Sequence, residues 1–141
     1  MKKDFIGSLL KKLIPQEFDT DRRSGETTQC IWKAIYYVLC YENVIFISEN
    51  GFERNGVRVA IEGCLRVLGM SFVSSMSSII FHTNKYIKFI GFDNLDAIKG
   101  LDNFVIVVDT GHKSWDYFYK KYPMFMKITK THRDNFDIII G

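Results

Sequence analysis

The chain has 141 residues, 47% of them hydrophobic and 25% charged, a length that fits one domain able to bury a core without a metal or disulfide staple. Its formal charge of +3, from 19 basic against 16 acidic residues, is too weak a bias to establish nucleic-acid binding by itself. No apolar run approaches the ~20 residues that span a bilayer, and the opening MKKDFIGSLLKK lacks a secretory cleavage signature, so stable membrane insertion is not expected.

Phe5, Ile6, Leu9, Leu10, Leu13 and Ile14 fall on one helical face, with Lys2, Lys3, Lys11 and Lys12 on the other. This spacing predicts an amphipathic N-terminal helix within residues 1–15, stopped by Pro15 and docked on the protein's own core. Residues 16–26 are polar and lack periodicity. From Thr27 onward, Ile31, Ala34, Ile35, Val38 and Leu39 recur at helical spacing. Val44 to Ile47 reads as a short strand, Ser48 to Gly56 as a polar connection, and Val57 to Leu68 as a second helix with Gly69 as its natural C′ residue. Phe72 to Ser78 fits either an edge strand or a loop.

Ile79 to Phe81 and Tyr86 to Ile90 form a plausible hairpin, and Gly91 to Asn94 turns into a short helix ending at Gly100. Phe104 to Val108 are five apolar residues in a row, which predicts a central strand covered on both faces. Ser114 to Tyr122 reads as an aromatic helix ended by Pro123, followed by strands at Phe125 to Ile128 and Phe136 to Ile140. Strands and helices in alternation predict a single α/β domain with a mixed or mostly parallel sheet, helices on both faces and an inserted hairpin.

Asp109 stands where the central strand leaves the sheet, with Thr110 and Gly111 to turn the chain; in open α/β folds that end is where ligands bind. The same carboxylate also suits a turn or helix cap. Asp109-Thr110-Gly111 matches the short signature of aspartic proteases too, but Ile138 to Gly141 follows too closely to build their half-barrel. Cys30, Cys40 and Cys64 are odd in number and sit in apolar helical patterns, which suits reduced thiols in a cytoplasm.

Arg22, Arg23, Ser24, Gly25, Glu26, Thr27 and Thr28, followed by a helix, resemble a phosphate-binding loop in which Gly25 and Thr27 take the glycine and hydroxyl places. Glu26 falls where the lysine belongs and brings negative charge to an already negative polyphosphate. RRSGETTQCIWKAIYYVL, VIFISENGFERNGVRVAIEGCLRVLG and YIKFIGFDNLDAIKGLDNFVIVVD together resemble the ATPase domain of bacteriophage large terminase subunits, the DNA-packaging motors, over residues 22–112. The resemblance implies a degenerate P-loop-NTPase-like fold and assigns Gly25 and Thr27 to the phosphate loop. It makes Asp109 the carboxylate that holds Mg²⁺ through water, and puts Thr110 where the catalytic glutamate belongs. With lysine and base both missing, and no room for a nuclease half after His112, it implies a repurposed scaffold.

The expected function is therefore non-catalytic binding, without a cofactor, to a phage or host protein or to DNA in the host cytoplasm. The alternative is a Mg²⁺-dependent nuclease or a weak ATP hydrolase, with Asp109 beside Asp93 or Asp116 and with His112 or Lys113 at the scissile phosphate. Arg22, Arg23, Lys113, Lys120, Lys121, Lys127, Lys130, His132 and Arg133 could touch phosphates, and Trp115, Tyr117, Phe118 and Tyr119 could line a partner surface, although at least half of these rings should be core.

Overall fold

A computed structural model of the protein describes residues 24–49, 51–101, 103–111, 113–131 and 136–138. The expected N-terminal helix, Arg22, Arg23, His112 and Arg133 lie outside the described residues. Helix α1 (Ser24–Leu39) buries Cys30, Ile31, Ala34, Ile35 and Val38, the stripe its periodicity announces. It is closed by a bond from the Glu42 amide to the Tyr37 carbonyl (2.9 Å), with Tyr41 between them in the left-handed region at φ 65°. A turn of residues 40–42 then reverses the chain into β1 (Asn43–Ser48).

Helix α2 (Gly51–Val67) follows at once. The polar stretch expected as a connection at 48–56 is thus mostly the first turns of a helix, whose later residues Val57, Ala60, Ile61, Cys64 and Leu65 are buried in the core. Gly69 ends it as expected, at φ 73°, with the Met70 amide bonded to the Leu65 carbonyl. Next come β2 (Phe72–Ser74), β3 (Ser78–Phe81), β4 (Tyr86–Gly91) and a 3-10 segment (Phe92–Ile98) kinked at Asn94. The chain finishes with β5 (Phe104–Asp109), α3 (Trp115–Lys121), α4 (Pro123–Thr131) and β6 (Phe136–Ile138).

The strand expected at 125–128 is instead part of α4. Pro123 sits at the first helical position, where its missing N–H costs nothing, and Phe125 and Ile128 share a face at a spacing of three. The strand expected at 136–140 is present over 136–138.

The described strands form one mixed sheet in the order β2-β3-β4-β1-β5-β6. β1 runs parallel to β4 and β5, and β5 parallel to β6, while the β2-β3-β4 meander is antiparallel. The strand at 104–108 is covered on both faces as expected, but β4 and β1 share the middle of the sheet, with β5 between β1 and β6. Strand alternation sends Val44, Phe46, Ile87, Phe89 and Val107 to a core under α1 and α2. Ile45, Ile47, Ile90, Ile106 and Val108 go to a second core under the 3-10 segment, α3 and α4. Helices therefore lie on both faces.

Candidate functional site

Parallel pairing brings the carboxyl ends of β4, β1 and β5 side by side, with Ser48 opposite Gly91 on one flank and opposite Asp109 on the other. Asp109 and Thr110 are buried, and the Asp109 Oδ1 accepts the Gly111 amide at 3.2 Å. The turn-capping role open to this carboxylate is thus realised. Ser48 is 1% exposed, and among the described residues its hydroxyl has no hydrogen-bond partner. A buried hydroxyl left this way forfeits solvation that a ligand or water could restore.

Arg54, on the first turns of α2, donates from Nη1 to the Ser48 carbonyl at 2.8 Å. The same guanidinium and the Asp93 carboxylate close over Gly91. A Cβ at that position would stand 2.8 Å from Arg54 Nη1 and 2.5 Å from Asp93 Oδ1, which explains glycine in an otherwise ordinary extended conformation. Asp93 is thereby placed beside a guanidinium on the β4 side of Ser48, with β1 between it and Asp109. Asp116, the other proposed partner of Asp109, is exposed at the start of α3. Among the described residues, no group of three or more His, Cys, Asp or Glu could hold a metal ion.

Helix α1 runs antiparallel to β1, so its amino end rises at this same edge. Cys30, at the level of β5's last turn outward, lies 3.6 Å by its Sγ from the Val108 carbonyl. Gly25, Glu26 and Thr27 are one turn further along, about 1.5 Å per residue, within the first turns of the helix. Residues 24–28, expected as part of a phosphate-binding loop, are helical from Ser24 onward.

The densest polar cluster at that edge was not expected. Glu49, the residue after Ser48, accepts Lys113 Nζ at 2.6 Å, Lys121 Nζ at 3.1 Å, and the hydroxyls of Tyr117 and Tyr122 at 2.7 Å each. Burial pushes this carboxyl up, but the hydrogen bonds from Lys113, Tyr122, Tyr117 and Lys121 outweigh it and hold the pKa down at about 2. Lys113 is raised above the usual ammonium range, chiefly by its bond to Glu49. A signal existed: Lys113, Tyr117 and Lys121 are spaced four apart. What the sequence did not reveal was their acceptor, 64 residues away from Lys113.

The candidate nucleic-acid contacts divide accordingly. Lys113 and Lys121 are engaged by Glu49, whereas Lys120 and Lys130 are exposed on α3 and α4. Trp115 stacks on Phe125 at 4.7 Å between centroids, and Phe118 stacks on Phe92 at 4.2 Å, so these rings serve the second core. The opposite end of the sheet is apolar and open. Val73 and Ile80 are cross-strand partners, 71% and 48% exposed, and Met76 is 92% exposed between them in sequence. Alternation puts Lys88 on the same face as Ile80.

Elsewhere, α2 carries a second four-residue ladder in which Glu62 bonds Arg58, Arg66 and, across to β2, Ser74. Burial acts to raise the Glu62 carboxyl, and Ser74 with the two arginines lowers it further than burial raises it.

No protein-family model, no curated protein and no solved structure matches the chain. No helix among the described residues is long and apolar enough to cross a membrane.

Proposed function

We propose that this chain is a non-catalytic, protein-binding domain of phage origin, built on the scaffold of a packaging ATPase and acting in the host cytoplasm. The observation that carries this reading is the pair of residues at the edge that bears Asp109. Under the resemblance, Glu26, in the first turn of α1, takes the place of the phosphate-reaching lysine, and buried Thr110 takes that of the catalytic base. The order β1-β5-β6, all parallel, with a helix amino end at the carboxyl edge of β5, is compatible with such a scaffold.

A protein partner is favoured over nucleic acid because Trp115 and Phe118, two of the rings available for base stacking, are packed into the second core. By contrast, Val73, Met76 and Ile80 offer apolar surface beside Lys88. That combination suits a partner with apolar side chains and an acidic rim.

Two measurements test the reading. The purified chain should show no magnesium-dependent ATP turnover above background, and Val73→Asp with Ile80→Asp should abolish capture of a defined partner from infected-cell lysate while leaving the fold intact. ATP hydrolysis lost in Asp109→Asn would overturn it, as would partner capture indifferent to the double substitution.

A second reading is favoured by the unsatisfied Ser48 hydroxyl beside buried Asp109: a magnesium-dependent hydrolase or nuclease centred on that carboxylate. It requires magnesium-dependent cleavage of DNA or RNA that Asp109→Asn removes.

A further inference from the structure

Four donors from α3 and its flanks converge on one carboxylate. Lys113 Nζ reaches Oε1 of Glu49 at 2.6 Å, and Lys121 Nζ (3.1 Å) and the Tyr117 and Tyr122 hydroxyls (2.7 Å each) reach Oε2. Two ammonium groups thus face a single negative charge, leaving one positive charge unmatched by the occupant. The Tyr117 ring centroid lies 4.7 Å from Lys113 Nζ and 5.4 Å from Lys121 Nζ, within cation–π range of both. Its hydroxyl receives both, at 3.4 and 3.0 Å.

The lysine side chains remain 43% and 53% exposed, so solvent reaches the cations, whereas Glu49 is 19% exposed and fills the inner position. Lysine as a point charge and tyrosine hydroxyls as neutral donors are the chemistry that recognises a phosphate oxygen, and a doubly charged phosphate would balance the two cations where a carboxylate does not.

We infer that Lys113, Tyr117, Lys121 and Tyr122 form a receptor for a dianionic phosphate group, occupied within the chain by Glu49. The phosphate can belong to free inorganic phosphate, to the terminal group of a nucleotide or to the 5′ end of a nucleic acid. This site adjoins Asp109 but uses neither it nor the loop-like residues, and it requires no turnover, so it stands whether or not the chain derives from a packaging ATPase.

The test is calorimetric titration of the full chain, as wild type, Glu49→Gln, Glu49→Ala and the triple variant Glu49→Gln, Lys113→Gln, Lys121→Gln, each checked for fold by circular dichroism. Titrants are inorganic phosphate, pyrophosphate, ATP, and a short oligonucleotide with and without a 5′ phosphate. Removing the internal carboxylate should tighten pyrophosphate binding at least tenfold, and the triple variant should lose that gain. Tighter binding of ATP or of the 5′-phosphorylated oligonucleotide than of pyrophosphate supports the receptor and identifies the phosphate's source. The inference fails if folded Glu49→Gln and Glu49→Ala bind no better than wild type, if the triple variant retains the gain, or if the unphosphorylated oligonucleotide binds equally well.

Discussion

Glu49 joins three parts of the chain, because its partners come from the turn after β5, from α3 and from the residue after α3. Replacing it by glutamine keeps the shape and removes the charge. The expected cost is about 1–2 kcal/mol at neutral pH, the range for a few charge-assisted bonds at a partly exposed site. The pH dependence has a definite sign. The folded pKa of about 2 lies below the ordinary 4.5, so the stabilisation is fully present above 4.5 and is lost as pH falls toward 2. Urea unfolding of wild type and Glu49→Gln should therefore show a constant gap from pH 8 to about pH 5 that narrows steadily as pH falls toward 2. A gap that does not narrow between pH 5 and pH 2 would show that the substitution acts through something other than this charge.

At the scale of elements, α3 and α4 hold to the sheet through rings more than through helix propensity. α3 has only 7 residues, too short to be stable in isolation. Ser114 caps it by accepting the Tyr117 amide at 3.2 Å, and the Tyr122 amide returns to the Phe118 carbonyl at 2.8 Å. Phe118 is fully buried, stacked on Phe92 and edge-on to Phe125 at 5.9 Å. Phe118→Ala should cost about 3–5 kcal/mol in urea or thermal unfolding, the usual range for deleting a core ring. A loss below about 1 kcal/mol would mean that the stack is dispensable and that α3 is held by Glu49 instead.

These two helices also mark where sequence patterns mislead. Phe125 to Ile128 reads as a strand because the window is short and mostly apolar, and a window of four cannot separate period two from period 3.6. Pro123 and the three-residue spacing of Phe125 and Ile128 suit the helix, in which Phe125 packs on the Phe92 and Trp115 rings.

For the whole molecule, the two-sided sheet predicts how the thiols behave. Cys30 and Cys64 are 0% and 2% exposed in the core beneath α1 and α2, and Cys40 is only partly covered at the end of α1. Burial also raises the Cys64 thiol, which lowers its thiolate fraction. A thiol reagent should therefore label one cysteine, Cys40, quickly in the native state, and the other two at the rate of global unfolding. Rapid labelling of three thiols would contradict the packing.

Periodicity and punctuation by themselves determined the α/β class, the positions of α1 and β5, most of α2, the hairpin and the Gly69 stop, because each depends on side chains within a few residues of one another. Asp109 was legible as a strand-end carboxylate for the same reason. Only the tertiary structure decided that β4 and β1 share the middle of the sheet, that Ser48, Gly91 and Asp109 share an edge, and that Glu49 gathers two lysines and two tyrosines from beyond residue 110. Such contacts pair groups some 60 to 70 positions apart, and local spacing carries no information about which distant donor meets which acceptor until the strands have paired.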